Sequence, residues 1–189
     1  APRARLGYGT RPRGRTEADD ARLAAELLQS EKDRREQYYV QQSIVEELRP
    51  LCEALDADAK LSEMTLARGR HLYTGIRGRL RPAVPTGALL EALHPTPAVG
   101  GYPRAAAMEA IRAWEPFDRG WYSGPIGWLG ADAAEFAVAI RCGLVAGRPL
   151  YLYSGAGIVE GSVPALEWDE IEHKISDFVN VLGLELRRS

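Results

Sequence analysis

The sequence predicts an α+β fold, a mostly antiparallel sheet with helices packed on it, and three observations carry that expectation. Residues 16 to 55 hold apolar side chains at helical spacing, namely Leu23, Leu27 and Leu28, then Val40, Ile44, Val45, Leu48, Leu51 and Leu55. Residues 121 to 159 hold three strand-like runs, WYSGPIGWLG, EFAVAIRCGLV and PLYLYSGAGIV, whose short connections (130–134 and 146–149) suit an antiparallel meander. Tyr151 to Lys174 then reads as strand, glycine turn and helix start.

In chain order, 1–15 contains five arginines, two prolines and three glycines with no hydrophobic period, and reads as an irregular arm before a single domain over 16–189. Thr16 suits a helix N-cap, with acidic residues in the turn that follows. Ser30 to Gln37 (SEKDRREQ) sits between the two apolar helical stretches. By charge pattern alone it is a solvated helix segment, with Asp33 and Glu36 spaced i, i+3. Residues 61 to 80 hold two strands, the second being HLYTGIRGRL with His71 at its start and Gly75 and Gly78 at bulge-like positions. Thr86 caps a short helix, GALLEAL. It cannot pass through His94-Pro95-Thr96-Pro97, because each proline disfavours the helical region for its predecessor, so a rigid loop follows. A helix over 105–114 leads to the three strands.

At the closing segment, Gly155 and Gly157 let the backbone approach something closely, a ligand being the natural candidate. Ser162 and Pro164 mark a helix start. Glu167, Glu170 and Lys174, spaced i, i+3, i+7, share one face of that helix. Taken alone they are a solvated face with an ordinary Glu170–Lys174 pair. Arg141, in the apolar run AVAI, needs an anionic partner if buried, either a ligand or a protein carboxylate such as Glu135.

Composition bounds the classes. At 189 residues, 46% hydrophobic and 26% charged, the chain can bury one core. A net charge of -2 gives no case for nucleic acid, and no apolar run approaches the roughly 20 residues of a membrane span. Cys52, on a predicted helix, and Cys142, on a predicted strand, make no disulfide framework and read as reduced. Reduced cysteines fit the cytoplasm or a plastid stroma; no signal or transit peptide is read at the start, and a mature organellar chain has already lost one.

SGAGIV followed by S-x-P and EWxExxxK resembles the closing signature of the chorismate-utilising enzymes, which include isochorismate synthase, salicylate synthase and the large subunit of anthranilate synthase. HPTPAVGGYP (94–103), FDRGWYSGPIGW (117–128) and EFAVAIR (135–141) follow that family's order and spacing, and the HPTPAVGG wording is closer to isochorismate synthases than to aminating relatives. A complete catalytic domain of the family is longer, so the chain resembles its C-terminal half.

The resemblance implies a Mg2+ ion held by Glu36 and Glu170, with Glu167 and Asp33 in an outer role. It implies substrate contacts from His71, Thr96, Tyr122, Arg141, Gly155, Ala156, Gly157 and Lys174 to chorismate or isochorismate. Gln37 stands where many relatives have His. Matching Gly9-Thr10 to the family's Ala-Gly-Thr stretch puts Arg5 at the position of the catalytic acid, and a guanidinium cannot donate a proton near neutral pH. The family's general base, a Lys, belongs to the N-terminal half. The resemblance therefore assigns no catalytic residue to this chain and implies a partner, either the absent half or another chain.

Overall fold

The structure, a computed structural model, describes residues 3–65 and 69–183, with backbone only for 3–10, 12, 177 and 181. The chain gathers into two compact units, Ala1–Glu115 and Pro116–Ser189, divided at the Glu115-Pro116 step that follows a helix.

The first unit is built on one long strand. β1 (Arg3–Pro12) is followed by α1 (Glu17–Gln29), α2 (Glu31–Leu48), a 3-10 turn (Arg49–Leu51), β2 (Cys52–Ala57), β3 (Ser62–Thr65) and β4 (Gly69–Leu80). β4 pairs antiparallel with β1 along one edge, while β2 and β3 share the other. The segment expected to be an irregular arm is therefore strand β1, running from Arg3 opposite Arg77 to Pro12 opposite Gly69, with a register shift between Tyr8 and Arg11. Pairing at a sheet edge uses backbone groups and needs no apolar alternation, which is why composition hid it. Arg5 lies opposite Gly75 through its backbone, and its side chain is outside the described residues.

Thr16 caps α1 as expected, accepting the Asp19 N–H. Ser30 ends α1 and caps α2 by accepting the Asp33 N–H. The charged run after it is therefore the start of α2, and Asp33, Glu36 and Gln37 are buried there instead of solvated. Pro50 stops α2 because it lacks an N–H and crowds the preceding turn. Cys52 and Leu55, expected on a helix, lie in β2 for that reason. Val40, Ile44 and Leu48 of α2 pack with Cys52 and with Ile76 of β4 to form the core.

Along β4 the even positions Arg70, Leu72, Thr74 and Ile76 are buried, the period-2 signature of one covered face. Arg70 is held there by ion pairs to Asp20 and Glu63, each at 2.6 Å. α3 (Thr86–Leu93) begins at Thr86 itself with Pro85 in the cap position, and it ends before His94 as the prolines demand. A single turn, α4 (Pro97–Gly100), follows, then α5 (Arg104–Trp114). Arg104 ties the loop down by donating to the backbone oxygens of Glu91, at 2.9 Å, and His94.

The second unit holds two separate hairpins and a helix. β5 (Pro125–Leu129) pairs with β6 (Ala134–Val138), and β7 (Cys142–Val145) pairs with β8 (Leu150–Tyr153). The three-stranded meander expected here is thus corrected: EFAVAIRCGLV breaks into β6 and β7 at Arg141, whose φ of 50° lies in the left-handed region. β8 stops at Tyr153. α6 (Pro164–Leu182) opens on proline as predicted, but Ser162 is not its cap; Val163 holds that position and the Ser162 hydroxyl accepts the Val159 N–H at 3.1 Å. Both cysteines are free, and among the described residues no helix is long and apolar enough to cross a membrane.

Candidate functional site

Each unit contributes its own group of the residues singled out from sequence. In the first, α2 places Asp33 and Glu36 one turn apart on its buried side. Asp33 accepts from Arg11 at 2.9 Å, a partner 22 residues away that no local pattern announces. Glu36 has the Lys32 ammonium 3.8 Å from its Oε1. The next residue, Gln37, is fully buried and donates from Nε2 to the Thr74 hydroxyl at 3.1 Å, pinning α2 to β4. Since Thr74 faces α2, strand alternation puts half-buried His71 on the other face of β4.

Thr96 sits half-buried at the N-cap of α4 without making a side-chain cap bond. α4 packs against α2, and Tyr102 stacks on Tyr39 with ring centroids 5.5 Å apart, fastening the loop to the helix that carries Glu36. Gly101 turns the loop at a φ of 70°, where a Cβ would come within 2.5 Å of the Ala107 Cβ, so it answers a packing need.

In the second unit, Tyr122, Gly155, Glu170 and Lys174 meet. Tyr122 stacks on Tyr153 at 5.4 Å and 21°, and the Arg119 guanidinium lies 5.8 Å from its ring centroid. A Cβ on Gly155 would fall 2.8 Å from the Tyr122 hydroxyl, so the close approach foreseen for this glycine is to that phenol. The Lys174 ammonium donates to the Gly155 carbonyl at 2.8 Å and pairs with Glu170 at 2.6 Å. Glu167, one turn before Glu170, is buried, whereas Glu170 is more open. Ala156 and Gly157 are half-buried in the same loop, and Arg141 is half-buried at the break between β6 and β7, with Glu135 exposed on β6. Tyr153 and Arg119 were missed as site neighbours. Their signal was the aromatic in a strand immediately before the glycines and the basic residue three positions before Tyr122.

Among the described residues no group of three or more His, Cys, Asp or Glu side chains is placed to hold a metal ion. The carboxylates come as two i, i+3 pairs, Asp33 with Glu36 and Glu167 with Glu170. Their chemistry fits Mg2+, a hard cation that takes one or two carboxylates and completes its shell with water and substrate oxygens. The described groove beside Val45, Arg49, Cys52 and Arg81, about 450 Å³, lies at the other end of α2 from Asp33 and Glu36.

A family model described as chorismate binding enzyme matches residues 8–183. The salicylate biosynthesis isochorismate synthase of Pseudomonas aeruginosa is 47% identical over 169 residues, covering 89% of this chain and 36% of its own. The solved structure of MenF, the menaquinone-specific isochorismate synthase of Escherichia coli, superposes with a TM-score of 0.83 at 34% identity, over 93% of this chain and 40% of that one. Anthranilate synthase component I of Streptococcus pneumoniae follows at 0.77 and 28%, over 90% and 40%. The chain therefore spans less than half the length of these relatives.

Proposed function

Because the chain belongs to the chorismate binding enzymes, we propose that it is the C-terminal part of an isochorismate synthase, converting chorismate to isochorismate with Mg2+. The observation that carries this reading is the group made by the closing motif, in which Lys174 joins Gly155 to Glu170 beside Tyr122. The higher identity to isochorismate synthases than to the anthranilate synthase component supports water over ammonia as the nucleophile. Menaquinone or phylloquinone formation, in a bacterial cytoplasm or a plastid stroma, is the matching context.

Under this reading Glu36 and Glu170 would hold Mg2+, with Asp33 and Glu167 in support. When bound, the ion supplies Lewis-acid polarisation of a substrate carboxylate. Arg141 and Tyr122 hold the enolpyruvyl carboxylate through charge-assisted and phenolic hydrogen bonds. The 155–157 backbone and Lys174 receive the ring carboxylate, and His71 and Thr96 complete the substrate contacts. Gly155 leaves the room that the Tyr122 hydroxyl needs. Tyr153 keeps that phenol oriented by stacking.

The second reading, a non-catalytic module that works through a partner, draws on the coverage of 36% to 40% and on Arg5 at the acid position. One assay separates them. The purified chain with chorismate and Mg2+ is expected to make no isochorismate at a useful rate, since general acid and base groups contribute about 10² to 10⁴ each. Addition of a separately expressed N-terminal portion of a complete relative is expected to restore product. No product after a complex forms favours the non-catalytic module, and robust turnover by the chain alone refutes the absence of acid and base groups.

A further inference from the structure

The groove at the C-terminal end of α2 is made entirely by residues of the first unit. Pro50 ends the helix, and β2 then begins with a register shift between Cys52 and Ala54. In an unbroken strand, residues three apart face opposite sides, but the shift lets Cys52 and Leu55 face the same one. Both lie over Gly78 of β4, where a Cβ would meet the Cys52 Sγ at 2.8 Å and the Leu55 Cδ1 at 3.1 Å. The bare backbone of Gly78 thus leaves room for an apolar floor, which half-buried Val45 and Ala57 extend.

Two guanidiniums, those of Arg49 and Arg81, stand beside this floor. Arg81 is fixed in advance: its backbone N–H donates to the Leu51 carbonyl at 2.9 Å and its Nε to the Pro50 carbonyl at 3.0 Å. Its terminal nitrogens remain for an anion. Among the described residues no carboxylate pairs with either arginine, and Glu53, the acidic residue of the lining, is tied to Arg79 at 3.2 Å. The end of α2 contributes roughly half a negative charge, which two full positive charges outweigh.

We propose that this groove is a binding site for a small carboxylic acid with an apolar body, its carboxylate taken by Arg81 and Arg49 and its body laid on Val45, Cys52 and Leu55. A guanidinium fork matches the two oxygens of a carboxylate. A bare inorganic anion would leave the floor wet, whereas an apolar body removes that surface from water. The volume, about 450 Å³, suits a small molecule, whose clefts run from roughly 300 to 1,000 Å³. Neither arginine is among the residues assigned to chorismate or Mg2+, so the site stands or falls on its own chemistry.

The test is saturation-transfer NMR on the full chain with benzoate as the probe, titrated to a dissociation constant. Benzyl alcohol, which lacks the charge, and acetate and inorganic phosphate, which lack the apolar body, are each expected to bind about tenfold or more weakly than benzoate. Arg81→Gln and Arg49→Gln are each expected to weaken benzoate about tenfold, the loss of a charged hydrogen bond. Both side chains are exposed, so the core is left intact. Arg81→Lys keeps the charge without the fork; its affinity is expected to fall between the two, and it serves if the Gln variant does not fold. Arg141→Gln and Arg148→Gln, which remove arginines of the second unit, are expected to leave benzoate binding unchanged. No benzoate binding by the unaltered chain overturns the site. Binding lost in Arg141→Gln and kept in the Arg49 and Arg81 variants also overturns it, because the probe then sits among the residues assigned to chorismate. Equal weakening in Arg148→Gln overturns it in favour of net charge, and phosphate binding as tight as benzoate overturns the role of the apolar floor.

Discussion

Gln37 donates from its side-chain amide to the Thr74 hydroxyl at 3.1 Å, and each residue is only 1% exposed. The bond fixes α2 against β4 one residue after Glu36, so it also sets where that carboxylate stands. Thr74→Val keeps the shape but strands a buried amide, and it should destabilise the fold by about 1–3 kcal/mol in urea unfolding. Adding Gln37→Leu removes the stranded group, so the double variant should recover part of the loss. A single variant as stable as the original chain would show that the amide finds another partner.

Acid should loosen the first unit through Asp20. The Arg70 guanidinium, helped by the Gly14 N–H and Arg13, lowers the Asp20 carboxyl from 3.8 to about 2. A depressed carboxyl pKa means that the folded state binds fewer protons than the unfolded one. The contribution is therefore complete above about pH 4 and disappears as pH falls toward 2. Asp20→Asn should be less stable than the original chain at pH 6, and the gap should narrow between pH 4 and 2. Parallel acid-unfolding curves for the two proteins would exclude Asp20 as the titrating group.

Mg2+ affinity in the presence of chorismate should depend on both helices. Glu36→Gln and Glu170→Gln remove a charge while preserving shape, and each is expected to weaken calorimetric Mg2+ binding roughly tenfold or more. Glu109→Gln, on the exposed side of α5, is the control and should change little. Similar behaviour by all three would sink the assignment of Glu36 and Glu170 to the metal.

The second unit should drive association. Ile126, Trp128, Leu129, Leu144, Val145 and Tyr151 are exposed on hairpins of only two strands, which leave apolar faces and strand edges available. Sedimentation velocity should show mass increasing with concentration, and Ile126→Lys with Leu144→Lys should reduce it. A concentration-independent monomer with no dye-accessible apolar surface would contradict this.

Local chemistry made much of the molecule legible from sequence alone. The Thr16 cap, the stop before His94, the proline opening of α6, the strands around 62–80 and the Glu170–Lys174 pair each depend on residues a few positions apart. The order of the family motifs was legible for the same reason. Tertiary structure decided what depends on distant partners. β1 exists because β4 offers it a backbone edge, and Cys52 and Leu55 are strand residues because β4 pairs with them beyond Pro50. The charged start of α2 is buried because Arg11 and Thr74 come from elsewhere in the chain to meet Asp33 and Gln37. Arg141 stands between β6 and β7 in a left-handed backbone conformation, in an apolar run that carries no turn residue. Capping and proline sterics act over one helical turn and leave a mark in the local sequence, whereas strand pairing and the burial of charge are settled by groups that only folding brings together.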